Sequence, residues 1–495
     1  MEPPIAQASS VSNDSHELVE SGIDRPANSS NVKANDLEWS NHPRNPLNLT
    51  AGQKLILMSM VSLSAFVTPI PVSRTAGTSV VSPATAALQK EFDVGETAAL
   101  LPLSLYVFAL ASGPVVGGPL SETVGRMPVY YVFFPLGALF TLGAGLTRNF
   151  GAFCFLRFAA GFCWAPSLTV AAGSISETFA PKARGLMMAL FIFMPFLGPG
   201  FGPVLGAYAA NRQGWPWTQW VLLFIAVVCI ILIALTPETF PPVIKKRVFK
   251  NHSESSSHPQ RLERLWAFAT ISLFRPVHML FTEPIITFIC LYVAINFGVL
   301  FSFFAAVPYT FETVYAFNIE QTGLVFFSIV IGSFLGLVTI IICDVALYRR
   351  QAPHYPPGAI PPEFRLYPAM IGGFGLPLGL FWFAWTSKQE VSWASPAAAI
   401  IPYSWGNLCV FVATAQFASD TYHGNVMASA SSAMTLSRYG FAGAFPLFIL
   451  QMLRAMGISW AVSVFGFITL ALIPIPWVLF KFGPTIRARS RYETL

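Results

Sequence analysis

The sequence predicts an all-helical membrane protein of twelve spans, arranged as two sets of six. Three observations carry this. Of 495 residues, 54% are hydrophobic and 11% are charged, against roughly a quarter charged in soluble chains. The mean hydropathy is +0.59. The apolar residues fall in segments near the ~20 residues that cross a bilayer as a helix, and one long polar stretch divides them in the middle. So few charges cannot cover a soluble protein of this size. An ordinary soluble enzyme and a disordered scaffold are both excluded. The basic balance, a net charge of +6, then reads as loop charge on one membrane face, not as a nucleic-acid surface.

Residues 1–53 are rich in Ser, Asn and Pro, and are predicted to be a disordered tail. They carry no cleavable signal sequence, so the first span is expected to direct insertion. The spans are placed near 54–73, 97–119, 128–146, 150–173, 185–208, 217–236, 284–307, 323–345, 367–386, 394–417, 427–453 and 458–481. These give a first half at 54–236, a polar linker at 237–283 containing KKRVFKNHSESSSHPQRLER, a second half at 284–481 and a tail at 482–495. An even number of spans puts both termini on one side. Roughly 21 of the Lys and Arg residues lie on that side, which marks it as cytosolic. Asn-x-Ser/Thr sequons at Asn13, Asn28, Asn48 and Asn251 fall there and are expected to stay unmodified. The six cysteines all sit in apolar segments and read as buried hydrophobes without disulfides.

Energy source comes next. No Gly-Lys dipeptide occurs, so there is no phosphate-binding loop for ATP. The seven histidines are scattered and form no metal-ligand pair. No enzyme activity, metal or cofactor is expected, and a gradient is left as the driving force. The stretch GPVVGGPLSETVGRMPVY follows the second span, and Glu122 and Arg126 flank Gly125 in it. A carboxylate and a guanidinium at this spacing form either a charge-assisted bridge that latches the cytosolic side or a plain polar turn. Arg157 lies inside the fourth span, where an arginine needs a cavity or a partner unless it snorkels to the interface. In the fifth span Gly198, Gly202 and Gly206 recur every four residues, and Pro199 and Pro203 remove backbone bonds. Such a face suits close packing and bending, in a moving or a static helix.

Taken together the chain resembles the major facilitator superfamily over about residues 40–495, and within it the fungal drug:proton antiporters with twelve helices. The resemblance rests on NPLN at 45–48, GPLSETVGRMPV at 118–129, LRFAAG at 156–161, FLGPGFGPVLGAY at 196–208 and PETFPPV at 237–243. It continues with FTEP at 281–284, RLYPAMIGGFGLPLGLFWFAWTS at 365–387 and the C-terminal LIPIPWVLFKFGPTIRARSRY. It implies that Glu122, Gly125 and Arg126 form the gating motif. It implies that Arg157 and Gly161 form the helix-four motif linked to proton coupling. Gly198, Pro199, Gly202, Pro203 and Gly206 match the helix-five motif of exporters.

No Asp or Glu stands near the middle of a span. Glu177, Asp344 and Asp420 lie close to the cytosolic ends, and Glu177 joins Arg157 as a coupling candidate. Polar residues inside spans are the candidates for substrate binding: Tyr292 and Asn296 in the seventh span, and Tyr403, Trp405, Asn407 and Gln416 in the tenth. The expectation is a monomeric, multi-pass transporter in the lipid bilayer, at the plasma membrane rather than the vacuole. It exports a drug, polyamine or secondary metabolite by proton antiport and alternating access. An importer on the same fold and a non-transporting sensor are the alternatives.

Overall fold

In lipid every backbone N–H and C=O must pair within its own segment, so apolar stretches of this length become helices. The computed structural model describes residues 39–69, 92–248, 274–355, 360–422, 424–490 and 492, and the regular structure among them is helical throughout. The spans are α1 (Ala51–Val67), α2 (Glu96–Val124), α3 (Arg126–Leu146), α4 (Phe150–Thr178), α5 (Pro181–Gln213) and α6 (Trp217–Leu235). They continue with α7 (Pro284–Tyr315), α8 (Ile319–Gln351), α9 (Pro362–Thr386) and α10 (Ala394–Thr421). The last run, Ser429–Arg487, is 59 residues long, about 88 Å at ~1.5 Å per residue and far too long for one crossing. Gly457, with φ 77° and ψ 162°, breaks it into α11 (424–456) and α12 (458–487).

Ten helical runs among the described residues are long and apolar enough to span, or eleven when α1 is taken with the turns before it. Dividing the last run at Gly457 brings the number to the twelve that the sequence predicts. Several ends differ from expectation. α1 begins at Ala51, because Thr50 and Gln53 close a reciprocal capping box that starts the helix early. α2 runs on to Val124, so the turn to α3 shrinks to Gly125 alone. α5 covers 181–213, several residues beyond each expected end. Part of the tail (1–38), the end of the first span with Arg74, most of the linker (249–273) and the sequons at Asn13, Asn28 and Asn251 lie outside the described residues.

The outer surface explains why the fold needs lipid. On α6, Phe224, Val227, Ile231 and Leu235 follow one helical face and are each more than half exposed, apart from a Val228 neighbour just under. An apolar face of this extent belongs in a bilayer. Residues 44–495 form one compact unit, and the described part of the separate unit 1–43 is a single helical turn. Within the large unit the first six spans meet the last six at close helix contacts. A Cβ on Gly200 of α5 would overlap Val330 of α8, and a Cβ on Gly443 of α11 would lie 3.0 Å from the Phe108 ring of α2. All six cysteines are buried free thiols.

Candidate functional site

The turn between α2 and α3 is built around one residue. Gly125 has φ 107°, which strains any residue bearing a side chain, and a Cβ there would sit 2.6 Å from Oε2 of Glu238. Glu238 follows α6. Its carboxylate accepts from the backbone N–H groups of Arg126 (3.0 Å) and Met127 (3.1 Å), and of Thr239 and Phe240 (2.9 Å each). It therefore caps the α3 N-terminus, where unpaired N–H groups and the helix dipole favour an anion.

The Arg126 side chain turns the other way. Its Nη2 donates to Glu177 at 2.8 Å, its Nη1 donates to Ser121 Oγ at 2.6 Å, and the guanidinium lies 4.9 Å from the Phe240 ring centre. Gly173 leaves room for it: a Cβ there would come within 2.7 Å of Arg126 Cζ. The expected bridge from Glu122 to Arg126 is not made. Glu122 is exposed, and Arg126 at the first position of α3 points across α4 to Glu177. This clasp joins α2, α3, α4 and the segment after α6. All of its members belong to the first six spans or the segment that follows them, and none to the last six.

A second clasp sits at the matching place in the last six spans. Arg365, at the start of α9, donates to Asp420 at the end of α10 (2.8 Å) and to Asp344 of α8 (3.2 Å). Arg349 also bonds Asp344 at 2.9 Å, and the Arg365 guanidinium stacks 3.6 Å from the Tyr348 ring centre. Arg487, at the end of α12, pairs with Glu363 at 2.9 Å. Arg126–Glu177 in the first six spans thus matches Arg365–Asp420 in the last six. Nearby, the Tyr422 hydroxyl donates to Glu283 at 3.0 Å. Burial and that carboxylate push the tyrosine hydroxyl well above its ordinary range.

The three coupling candidates do not form one cluster. Glu177 belongs to the first clasp. Arg157 lies twenty residues earlier on α4, about 30 Å along the axis. It is 1% exposed and does not snorkel; its guanidinium lies 5.7 Å from the ring centres of Tyr106 and Phe153. Gly161 serves packing, since a Cβ there would meet the Tyr106 carbonyl at 2.7 Å.

A cavity of about 130 Å³ lies between the two sets of spans. Phe191, Phe196 and Pro199 of α5 line one side; Phe297 of α7, Phe411 of α10, and Arg438 and Tyr439 of α11 line the other. Phe196, Phe297 and Phe411 form a three-ring cluster with centres 5.3 to 5.6 Å apart. Of the helix-five motif, Pro199 reaches this cavity, while Gly198, Gly202, Pro203 and Gly206 are buried in packing. The close approach to α8 instead uses Gly200, which the every-fourth-residue pattern skips.

None of the six polar candidates lines this cavity. Tyr292 packs against α9 beside Gly373. Tyr403 donates to the Asn296 carbonyl at 2.6 Å, and the Asn296 amide is buried with neither of its atoms bonded. Trp405 bonds Thr339 of α8 at 2.9 Å, Asn407 is buried, and Gln416 lies in a small crevice beside the second clasp. They hold α7, α8, α9 and α10 together. Arg438 and Glu238 were the residues missed. An arginine inside a span is the same signal that marked Arg157. Glu238 stood in a quoted motif, but backbone capping leaves no periodic trace.

The family model described as Major Facilitator Superfamily matches residues 67–446. The chain is 33% identical to the citrinin biosynthesis cluster MFS transporter mrr1 of Monascus ruber, over 92% of each chain. It is 32% identical to Polyamine transporter 4 of Saccharomyces cerevisiae, over 93% of this chain and 74% of that one. It is 34% identical to the major facilitator superfamily multidrug transporter mdrA of Aspergillus fumigatus, over 96% and 79%. Among solved structures it is similar to a bacterial homologue of the human lysosomal transporter Spinster, inward-facing and unoccupied. The TM-score is 0.54 at 12% identity, covering 90% of this chain and all of that one. That likeness speaks to the fold.

Proposed function

We propose, for a chain that belongs to the Major Facilitator Superfamily and is a multi-pass secondary transporter of small organic molecules, that its direction is export and its driving force a proton gradient. The observation that carries this reading is the apolar, ring-lined cavity between the two sets of six spans, in a chain matched over 92% and 96% of its length by relatives named for metabolite-cluster and multidrug transport. A site between two halves that rock is how such folds give alternating access. The clasps fit the rocking: each ties spans of its own set of six to one another and not to the other set. On the far face Arg212 of α5 meets Glu320 of α8 at 3.4 Å, and Asn211 bonds the same carboxylate at 3.0 Å, an exposed tie between the bodies that is cheap to break.

In this reading the clasp face is cytosolic, as the positive loops indicate, both termini lie there, and the protein works as a monomer in the plasma membrane. The cargo is a drug, a polyamine or a secondary metabolite, as the relatives' names suggest. Proton exchange falls to carboxylates at the clasp face, Glu177 and Asp420 foremost, because no carboxylate lines the cavity among the described residues. The test is transport in proteoliposomes with an imposed pH gradient, using a cationic dye, a polyamine and an uncharged hydrophobic metabolite. Gradient-driven accumulation of one of them, lost in Glu177→Gln, supports the reading. Movement indifferent to the gradient makes it a facilitator. Ligand binding without movement of any probe makes it a sensor.

A further inference from the structure

We propose that the cavity is built for an organic anion with a flat ring system, its carboxylate or phenolate held by Arg438. The inference rests on the transporter reading above and narrows its cargo. Arg438 lies on α11 in the wall of the cavity. Its guanidinium carbon sits 4.4 Å from the Tyr439 ring centre, 4.6 Å from that of Phe411 and 5.0 Å from that of Phe297. Its Nε is buried with no hydrogen-bond partner among the described residues.

A guanidinium cannot shed its proton to escape such a place. A charge in the membrane interior needs a counter-charge or hydrogen bonds. The rings offset part of the cost through their π faces, but they accept no directed hydrogen bond. No carboxylate lines the cavity among the described residues. The second arginine within the spans, Arg157, adds to the same sign of charge on the α4 side. Of the described carboxylates on the spans, Glu177, Asp344, Glu363 and Asp420 are engaged at the clasp face, Glu122 is exposed there and Glu320 is bonded on the far face; none of these lines the cavity.

The interior is therefore positive, and what it lacks is an anion. A carboxylate matches the planar fork of donors in two parallel bonds. The rings of Phe297, Phe411 and Phe196 then offer an aromatic body its stacking partners. The same field repels a polycation, so the cargo named for the yeast relative, a polyamine, does not suit this cavity.

The experiment holds the ring constant and changes the charge. Binding of 2-naphthoate, 2-naphthamide and 2-naphthylmethylammonium to the purified full-length chain is measured by calorimetry, and the same probes are followed into proteoliposomes. The expected order is naphthoate tighter than naphthamide by at least about tenfold, as a charge-assisted hydrogen bond in a dry site gives, with the ammonium probe weakest. Arg438→Gln brings naphthoate and naphthamide to parity, and Arg438→Lys keeps part of the preference. The wild-type series needs no variant to fold, so it decides the matter even where Arg438→Gln is unstable.

Equal or tighter binding of the amide or the ammonium, no binding of naphthoate, or a preference unchanged in a folded Arg438→Gln overturns the inference. If the ammonium probe is transported and naphthoate is not, the anion assignment fails and the transporter reading stands. If naphthoate binds through Arg438 but is not moved, the reverse holds.

Discussion

The two clasps occupy the same place in the two sets of six spans and are built differently. In the first, one arginine faces one carboxylate, with side chains 9% and 15% exposed, and Glu238 secures the helix start beneath it. In the second, Arg365 is shared between Asp344 and Asp420 with exposures of 21% to 31%, Arg349 bonds Asp344 as well, and Arg487 holds Glu363 separately. One is deep and has no substitute partner. The other is distributed: its shared arginine and that arginine's two carboxylates are shallower, while the separate Arg487–Glu363 pair is as deep, at 12% and 5% exposed. The depth follows from Gly125: a one-residue turn draws the ends of α2 and α3 together around a largely buried Arg126. The α8–α9 connection is longer, and Arg365, Asp344 and Asp420 beside it stay nearer the surface. Loss of Arg126 should therefore do far more harm than loss of one of the two carboxylates that share Arg365.

The sharpest way to break the comparison is Arg126→Ala. It leaves Glu177 buried without its partner, a loss of about 3–5 kcal/mol, and transport in proteoliposomes should fall by roughly 100-fold or more. Next is Glu238→Ala, which strands the N–H groups of Arg126 and Met127. A lost helix cap costs about 1–2 kcal/mol, visible as a lower unfolding temperature with a roughly tenfold loss of transport. Gly125→Ala should cost about 1–3 kcal/mol by strain alone and crowd the Glu238 carboxylate as well, so its effect should match or exceed that of Glu238→Ala in the same two assays. In the second clasp, Asp420→Asn leaves Arg365 its bond to Asp344, and the loss should stay near 1 kcal/mol, a few-fold in rate. The smallest effect belongs to Arg212→Ala on the far face. That side chain is 68% exposed, and melting temperature should barely move. An Asp344 or Asp420 variant as damaging as Arg126→Ala would refute the difference drawn here.

The fold was legible because lipid imposes a simple code: each span needs about twenty apolar residues, and this chain keeps its charges at the span ends and in the loops, Arg157 and Arg438 apart. Span ends were less legible, since polar starts such as PKAR at 181–184 continue a helix without looking apolar. The clasp was half legible. The pattern Glu122–Gly125–Arg126 marked the turn, but sequence spacing favours the nearest carboxylate, and the partner was brought from fifty-one residues away by the packing of α3 on α4. The substrate candidates show the limit most clearly. Asn296 and Asn407 are polar and lie inside spans, yet both face other helices, because a helix has several buried faces and polarity alone does not say which one meets a cavity.

The central claim is that two stiff bodies, each held by its own clasp, rock about the cavity. Spin labels test it directly by double electron–electron resonance. One pair, at Val124 and Leu186, lies within the first body; the other, at Val124 and Arg350, spans the two. All three positions are exposed on the clasp face. Adding a transported probe or reversing the pH gradient should shift the distances of the spanning pair between at least two populations, while the pair within the first body keeps one narrow distance. Broad or shifting distances within the first body, or a spanning pair that never moves while the probe is carried across, would contradict the account.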